Sequence, residues 1–179
     1  MNALFVWVDH AERRLCVLAN TVSRRRFWRP LFQVVSRLGD GAIWYLLMAT
    51  MPLLMGLERW REGAWVSLQM LAASALGLLL YKYLKKKLVR ERPFVGLIGI
   101  ECAMAPLDRY SFPSGHTLHA VLFTVIAVRH VPELALILVP FAALVAASRV
   151  ILGLHYPTDV VAGATLGALI AMASESAFH

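Results

Sequence analysis

The chain has 179 residues, room for one domain but not comfortably for two, with 59% hydrophobic and 16% charged side chains and a net charge of +7. Soluble domains average roughly 45–50% apolar and about 25% charged residues, so this balance excludes an ordinary soluble protein and indicates a membrane protein. Beside so much apolar sequence, the positive charge suits anionic lipid and not nucleic acid.

The first 28 residues read as an amphipathic helix lying in the membrane interface. Leu4, Val8, Ala11, Leu15 and Leu18 recur on one face, while Asp9, Glu12 and Arg13 project from the other. Asp9, Glu12, Arg13 and Arg14 also interrupt any apolar core of a cleavable signal peptide. Arg24, Arg25, Arg26 and Arg29, interleaved with Phe27 and Trp28, suit headgroup depth.

Residues 31–179 are expected to form the transmembrane bundle, one unit with the interfacial helix across 1–179. Gly41–Leu57 and Gly63–Tyr81 carry no Asp, Glu, Lys or Arg, near the ~20 residues that a bilayer core requires. Tyr110–Val128 is equally free of charge, and Leu134–Ser148 and Val160–Ser174 are shorter runs of the same kind. Spans are therefore expected near 31–57, 62–84, 114–130, 133–150 and 157–175. The fold class is all-α, an integral membrane helical bundle of five to six transmembrane helices with an N-terminal interfacial helix. Cys16 and Cys102 have no spacing of a metal site or redox pair and read as packing residues.

With alternating spans, three polar segments meet at one membrane surface. The first is LKKKLVRERPF, Leu84–Phe94. Lys85 and Arg92 are seven residues apart, two helical turns or ~10.5 Å, which allows both to share a helix face. Pro93 disfavours helical geometry at Arg92 and ends the helix there. Lys82, Lys86, Lys87 and Arg90 read as cations that snorkel to headgroups. The second segment is Pro113-Ser114-Gly115-His116. Ser114 is suited to an N-cap, Gly115 admits close approach to the backbone, and free N–H groups at a helix start attract a phosphate oxygen. His116 then stands in the first turn, ready to exchange a proton near neutral pH.

The third segment is SRVILGLHYPTD, Ser148–Asp159. Arg149 lies too deep to be a casual surface cation. Pro157 fits the first position of a helix and Asp159 its first turn, within reach of His155, where it would fix the tautomer and leave the other nitrogen as a nucleophile. Cations gathered with few carboxylates indicate an anion and no divalent metal, so no cofactor is expected. Phosphoryl transfer fits best: fixed cations and N–H groups for the equatorial oxygens, an in-line nucleophile and an acid opposite. His155 and His116 supply that pair.

Lys85-x6-Arg92-Pro93, Pro113-Ser114-Gly115-His116 and Ser148-Arg149-x5-His155-x3-Asp159 resemble the three-part signature of the type 2 phosphatidic acid phosphatase superfamily, which also includes vanadium haloperoxidases. The resemblance implies a metal-independent phosphatase working through a phosphohistidine. It makes His155 the nucleophile, Asp159 its orienting carboxylate, and His116 the acid and later the base. It gives the phosphate to Lys85, Arg92, Ser114, Gly115 and Arg149, and Ser148 a structural role. His119 is outside the motif and either lines a headgroup pocket or caps polar groups.

The expected protein is a lipid phosphate phosphatase of a bacterial inner membrane. Its expected substrate is phosphatidylglycerol phosphate, phosphatidate or an undecaprenyl diphosphate type carrier. A lipid phosphotransferase and a non-catalytic lipid-binding or transport protein are the alternatives. All Lys and Arg except Arg59, Arg61 and Arg129 fall on the side of the site, which by the positive-inside rule favours the cytoplasm.

Overall fold

The computed structural model describes residues 3–178, with side chains from Val8 onward. Leu4 of the expected apolar stripe and the termini of the 1–179 unit lie outside the described side chains or residues. The chain is all-helical: α1 (Ala3–Ser23), α2 (Trp28–Leu38), α3 (Ala42–Leu54), α4 (Trp60–Lys87), the single turn α5 (Pro93–Gly96), α6 (Gly115–His130), α7 (Ala135–Ile151) and α8 (Pro157–Phe178).

Three helical segments are long and apolar enough to cross a membrane, Leu57–Lys87, Pro132–Ile151 and Pro157–Phe178. The expected span over 31–57 is not one helix. Gly39-Asp40-Gly41 breaks it into α2 and α3, because Gly41 adopts φ 143° and Val145 packs directly onto Gly39. The apolar part, α3, has 13 residues, or about 20 Å of helix.

The α6 helix lies at the centre. Leu118, Leu122, Ile126 and Ala127 are wholly buried, and they join Trp44, Met51, Met70 and Val145 in the main core. Trp44 stacks on Phe123 with ring centroids 5.4 Å apart and donates its indole N–H to the Gly39 carbonyl at 3.1 Å. On the outside, Leu79, Leu136, Ile137, Leu169 and Met172 are exposed, as suits side chains facing lipid.

The backbones of α6 and α8 approach closely. A side-chain carbon added at Gly163 would lie 2.4 Å from the Ser114 carbonyl oxygen, and one at Gly167 would lie 2.3 Å from that of Leu118. Two glycines four residues apart thus leave a flat stripe against which the α6 backbone rests. The Ser114 N–H donates to the Asp159 carbonyl at 3.0 Å, so the same contact fixes the starts of both helices.

The α1 helix has the expected two faces in an unexpected orientation. Leu15 and Leu18 are exposed, while Glu12, Cys16, Asn20 and Ser23 are buried against the bundle. The polar stripe, expected to face water, is the docking surface. Asn20 exchanges hydrogen bonds with Glu101, Nδ2 to its carbonyl at 3.0 Å and Oδ1 from its N–H at 2.8 Å, and so pins the long connection between α5 and α6. Burial pushes the Cys16 thiol up to about 12, leaving a neutral packing group. Cys102, expected to pack as well, is exposed.

Replacing Gly167 with Ala should destabilise the protein by about 1–3 kcal/mol, since the backbone of α6 cannot retreat from the added methyl without opening the core. Thermal unfolding in detergent checks this. An unchanged or higher melting temperature would mean that α6 and α8 are not in backbone contact.

Candidate active site

Each side chain of the three segments is positioned by local chain geometry. Ser114 is the N-cap of α6: its hydroxyl oxygen accepts from the Thr117 N–H at 3.5 Å, and its backbone is extended. His116 follows in the first turn. A side-chain carbon at Gly115 would meet the Tyr81 ring only at 3.5 Å, an ordinary contact, and Gly115 lines the cavity.

The end of α7 sets Arg149 and His155 together. Gly153 takes φ 76°, and the Arg149 carbonyl accepts from both Leu154 N–H (3.0 Å) and His155 N–H (3.1 Å). A side chain at Gly153 would strike the Glu101 carbonyl, so glycine is required there for space as well as conformation. Pro157 then opens α8, and Asp159 Oδ2 accepts from the Tyr156 N–H at 2.9 Å.

Lys85 and Arg92 converge by a different route from the shared helix face expected of them. The α4 helix ends at Lys87, and Arg92 lies beyond it in extended conformation just before Pro93, at the first position of α5. Asp108, from the α5–α6 connection, joins the two cations: its Oδ1 is 2.7 Å from Lys85 Nζ and 2.7 Å from Arg92 Nη2. Burial pushes the Asp108 carboxyl up, but the hydrogen bond and charge of Lys85, together with Arg92, outweigh it and hold the group below the usual carboxylate range.

Lys85, Arg92, Gly115, His116, Arg149 and His155 line one cavity of about 380 Å³. Ser114 is wholly buried behind it and Ser148 is wholly buried in α7. The opposite wall is Trp44, Tyr45, Leu71, Ala75 and Leu78 from α3 and α4. His119 lines the same cavity, and its Nδ1 lies 2.9 Å from the Gly115 carbonyl.

His155 is 2% exposed. Its Nδ1 lies 3.5 Å from Asp159 Oδ2 and its Nε2 lies 3.3 Å from Arg92 Nη1. A guanidinium only donates, so this contact requires a lone pair on Nε2 and places the ring proton on Nδ1, facing the carboxylate. Burial first, then the charges of Arg149, Arg92 and Lys85, hold this imidazole well below the ordinary histidine range, so it is neutral at physiological pH.

Several residues of the site were not foreseen. Arg90, expected to snorkel, has no exposed surface. It donates to Asp159 Oδ1 at 2.5 Å, to Asp9 Oδ1 at 2.6 Å, to Glu12 Oε2 at 2.9 Å and to the Thr158 hydroxyl at 2.8 Å, and it lies 3.9 Å over the Tyr156 ring. Lys82, Lys86 and Lys87 are exposed as expected. Arg149, expected to hold phosphate, donates to the buried Ser36 hydroxyl. Asp40 and Asp108 bring carboxylates to a pocket expected to have few. For Asp40 a signal existed, a lone charge between two glycines within an apolar run; Arg90 is indistinguishable in sequence from its basic neighbours.

Comparison with known proteins adds to this geometry. The family model of the PAP2 superfamily matches residues 65–178. The chain is 36% identical over 144 residues to phosphatidylglycerophosphatase B of Bacillus subtilis, covering 73% of this chain and 66% of that protein. It is 30% identical over 137 residues to decaprenylphosphoryl-5-phosphoribose phosphatase of Mycobacterium tuberculosis, covering 76% and 72%. Among solved structures, it superposes on a transmembrane PAP2 type phosphatidylglycerolphosphate phosphatase from Bacillus subtilis with a TM-score of 0.72 and 27% identity, covering 98% and 86%. It superposes on LpxE of Aquifex aeolicus with a TM-score of 0.75 and 25% identity, covering 91% and 93%.

Substituting Arg90 by Met should cost about 3–5 kcal/mol, because Asp9, Glu12 and Asp159 then face one another without their shared cation. Arg13→Met, at an exposed position on the same helix α1, is the control and should change little. Thermal unfolding of both variants in detergent is the measurement; equal stability of the two would sink the clamp.

Proposed function

This chain belongs to the PAP2 superfamily, and from that premise we propose that it is a metal-independent membrane lipid phosphatase that works through a phosphohistidine. The observation that carries this reading is the shared cavity, in which Lys85, Arg92, His116, Arg149 and His155 face one void with an apolar opposite wall.

The phosphate of the substrate lies among Lys85, Arg92, Arg149 and the N–H groups at the start of α6, with Ser114 and Gly115 shaping that helix end. It draws the Arg92 guanidinium away from His155 Nε2, whose lone pair then forms a bond to phosphorus as the bond to the lipid oxygen breaks. His116 gives its proton to that departing oxygen. Asp159 keeps the Nδ1 proton of His155 and stabilises the positive ring of the phosphohistidine. Neutral His116 next takes a proton from water; the hydroxide attacks phosphorus, the N–P bond breaks, and inorganic phosphate leaves with both histidines restored.

The apolar wall supports a lipid substrate. Tyr45, Leu71 and Leu78 are exposed on the outer surfaces of α3 and α4 while also lining the cavity, so a chain entering sideways keeps its tail in the bilayer. With α1 docked beside Asp159 the N-terminal arginines share the side of the site, and by the positive-inside rule this charge supports a cytoplasmic site in a bacterial inner membrane. A cytoplasmic site favours a glycerophospholipid phosphate, phosphatidylglycerol phosphate or phosphatidate, over an undecaprenyl diphosphate. The Bacillus relative, by its name, acts on phosphatidylglycerophosphate.

Phosphate release in detergent with EDTA present, from these three lipids side by side, tests the reading. Wild type should release phosphate and His155→Ala should not, with the fold retained. Release that survives in His155→Ala would remove the phosphohistidine, and no release from any substrate by folded wild type would remove the phosphatase. The pH profile gives a second check. The nucleophile must be neutral, and its proton affinity is lowered, so kcat/KM should hold through pH ~6.5, the ordinary histidine value, and fall only at lower pH.

A further inference from the structure

Asp40 belongs to none of the three motif segments, yet it reaches the cavity from the turn between α2 and α3. Its Oδ1 lies 3.0 Å from Nε2 of His116. That nitrogen is sealed from solvent and has no in-line hydrogen bond, so the contact is one of charge at close range. The turn itself is tightly set, with Val145 against Gly39 on one side and the φ of 143° at Gly41 on the other.

The surroundings of His116 oppose a positive ring. Its ring is largely buried, Arg149 of α7 and Lys85 of α4 line the same cavity, and it stands in the first turn of α6, at the positive end of that helix dipole. Among the described residues, the carboxylate within ion-pair distance of it is Asp40. The contact with His116 holds the Asp40 carboxyl below its usual range, so it is ionised whenever the enzyme works.

Resting on the phosphatase reading above, we propose that Asp40 is a positioning residue for the reaction, turning Nε2 of His116 to its carboxylate and sustaining the imidazolium so that Nδ1 delivers the proton to the departing lipid oxygen. The site then contains two carboxylate–histidine pairs with opposite duties. Asp159 faces a histidine that is neutral and attacks; Asp40 faces one that is charged and protonates.

A leaving group that needs no proton separates this role from simple support of the fold. Full-length wild type, Asp40→Asn, Asp40→Glu, His116→Ala and the double variant Asp40→Asn/His116→Ala would be assayed in detergent on phosphatidate and on p-nitrophenyl phosphate. Asp40→Asn should lower kcat/KM on phosphatidate by about 100-fold, mainly through kcat, and move the alkaline limb of the pH profile to lower pH, as the acid loses its proton sooner. On p-nitrophenyl phosphate, whose departing oxygen is a weak base, the loss should stay under about threefold. Asp40→Glu should recover part of the activity, and the double variant should lose no more than His116→Ala alone.

Equal loss on both substrates with an unmoved alkaline limb would overturn the proposal, as would full activity of Asp40→Asn. Silence of folded wild type on both substrates would overturn the phosphatase reading itself, and this proposal with it.

Discussion

The Arg90 guanidinium has no exposed surface and contacts three carboxylates from two ends of the chain. Burial opposes its charge, and Asp159 and Asp9 outweigh that, so it holds its proton more firmly than a free arginine. A buried ion pair is poor evidence of net stability but is costly to break, which makes it a device for specifying geometry. Here the geometry specified is that of Asp159. One oxygen is held by Arg90 and the other by the Tyr156 N–H, so the carboxylate cannot turn away from His155. Glu12 completes the arrangement by accepting from the Thr158 N–H at 2.7 Å, which ties α1 over the exposed donors at the start of α8.

That clamp explains the inverted face of α1. A helix with Leu15 and Leu18 on one side and Asp9 and Glu12 on the other fits an interface equally well whether its polar side meets water or protein. Arg90 decides the matter, since a buried cation needs anions and α1 supplies two. The outward leucines are then free for lipid. The site is braced by an amphipathic element outside its own bundle, and the brace works through second contacts rather than through any group that lines the cavity.

The parts legible in the sequence are those fixed by short-range backbone chemistry. Ser114 caps a helix and Pro157 starts one whatever surrounds them, and both set the direction of the histidine next to them. The parts not legible depend on pairing at long range. Arg90 and Asp9 are 81 positions apart, and nothing in KKKLVRERP marks which cation turns inward. Lys85 and Arg92 meet for a reason the sequence does not carry: helix periodicity predicts a shared face, whereas Asp108 gathers them across a helix end. The break at Gly39-Asp40-Gly41 was hidden by the apolar run around it, although one charge between two glycines is an unusual thing to place in a membrane span.

The internal anion at Lys85 and Arg92 follows from the same physics as the clamp. Two cations in a half-apolar cavity repel each other, and both lose hydration; an uncompensated pair would be costly in the resting protein. Asp108 offsets part of that cost, with a side chain still 37% exposed and carried on a connection without regular structure. On the phosphatase reading proposed above, a phosphate arriving on a lipid would exchange with a carboxylate instead of filling a bare positive hole. On that reading the exchange would keep net binding modest while leaving the cations to neutralise the negative charge on the phosphoryl oxygens in the transition state. Arg149 is the exception, a deep cation held by the Ser36 hydroxyl and by no carboxylate hydrogen bond among the described residues. Among the described residues it is a cavity cation with no carboxylate bonded to it, and on the proposed reading a phosphate would meet it with no bound carboxylate to displace.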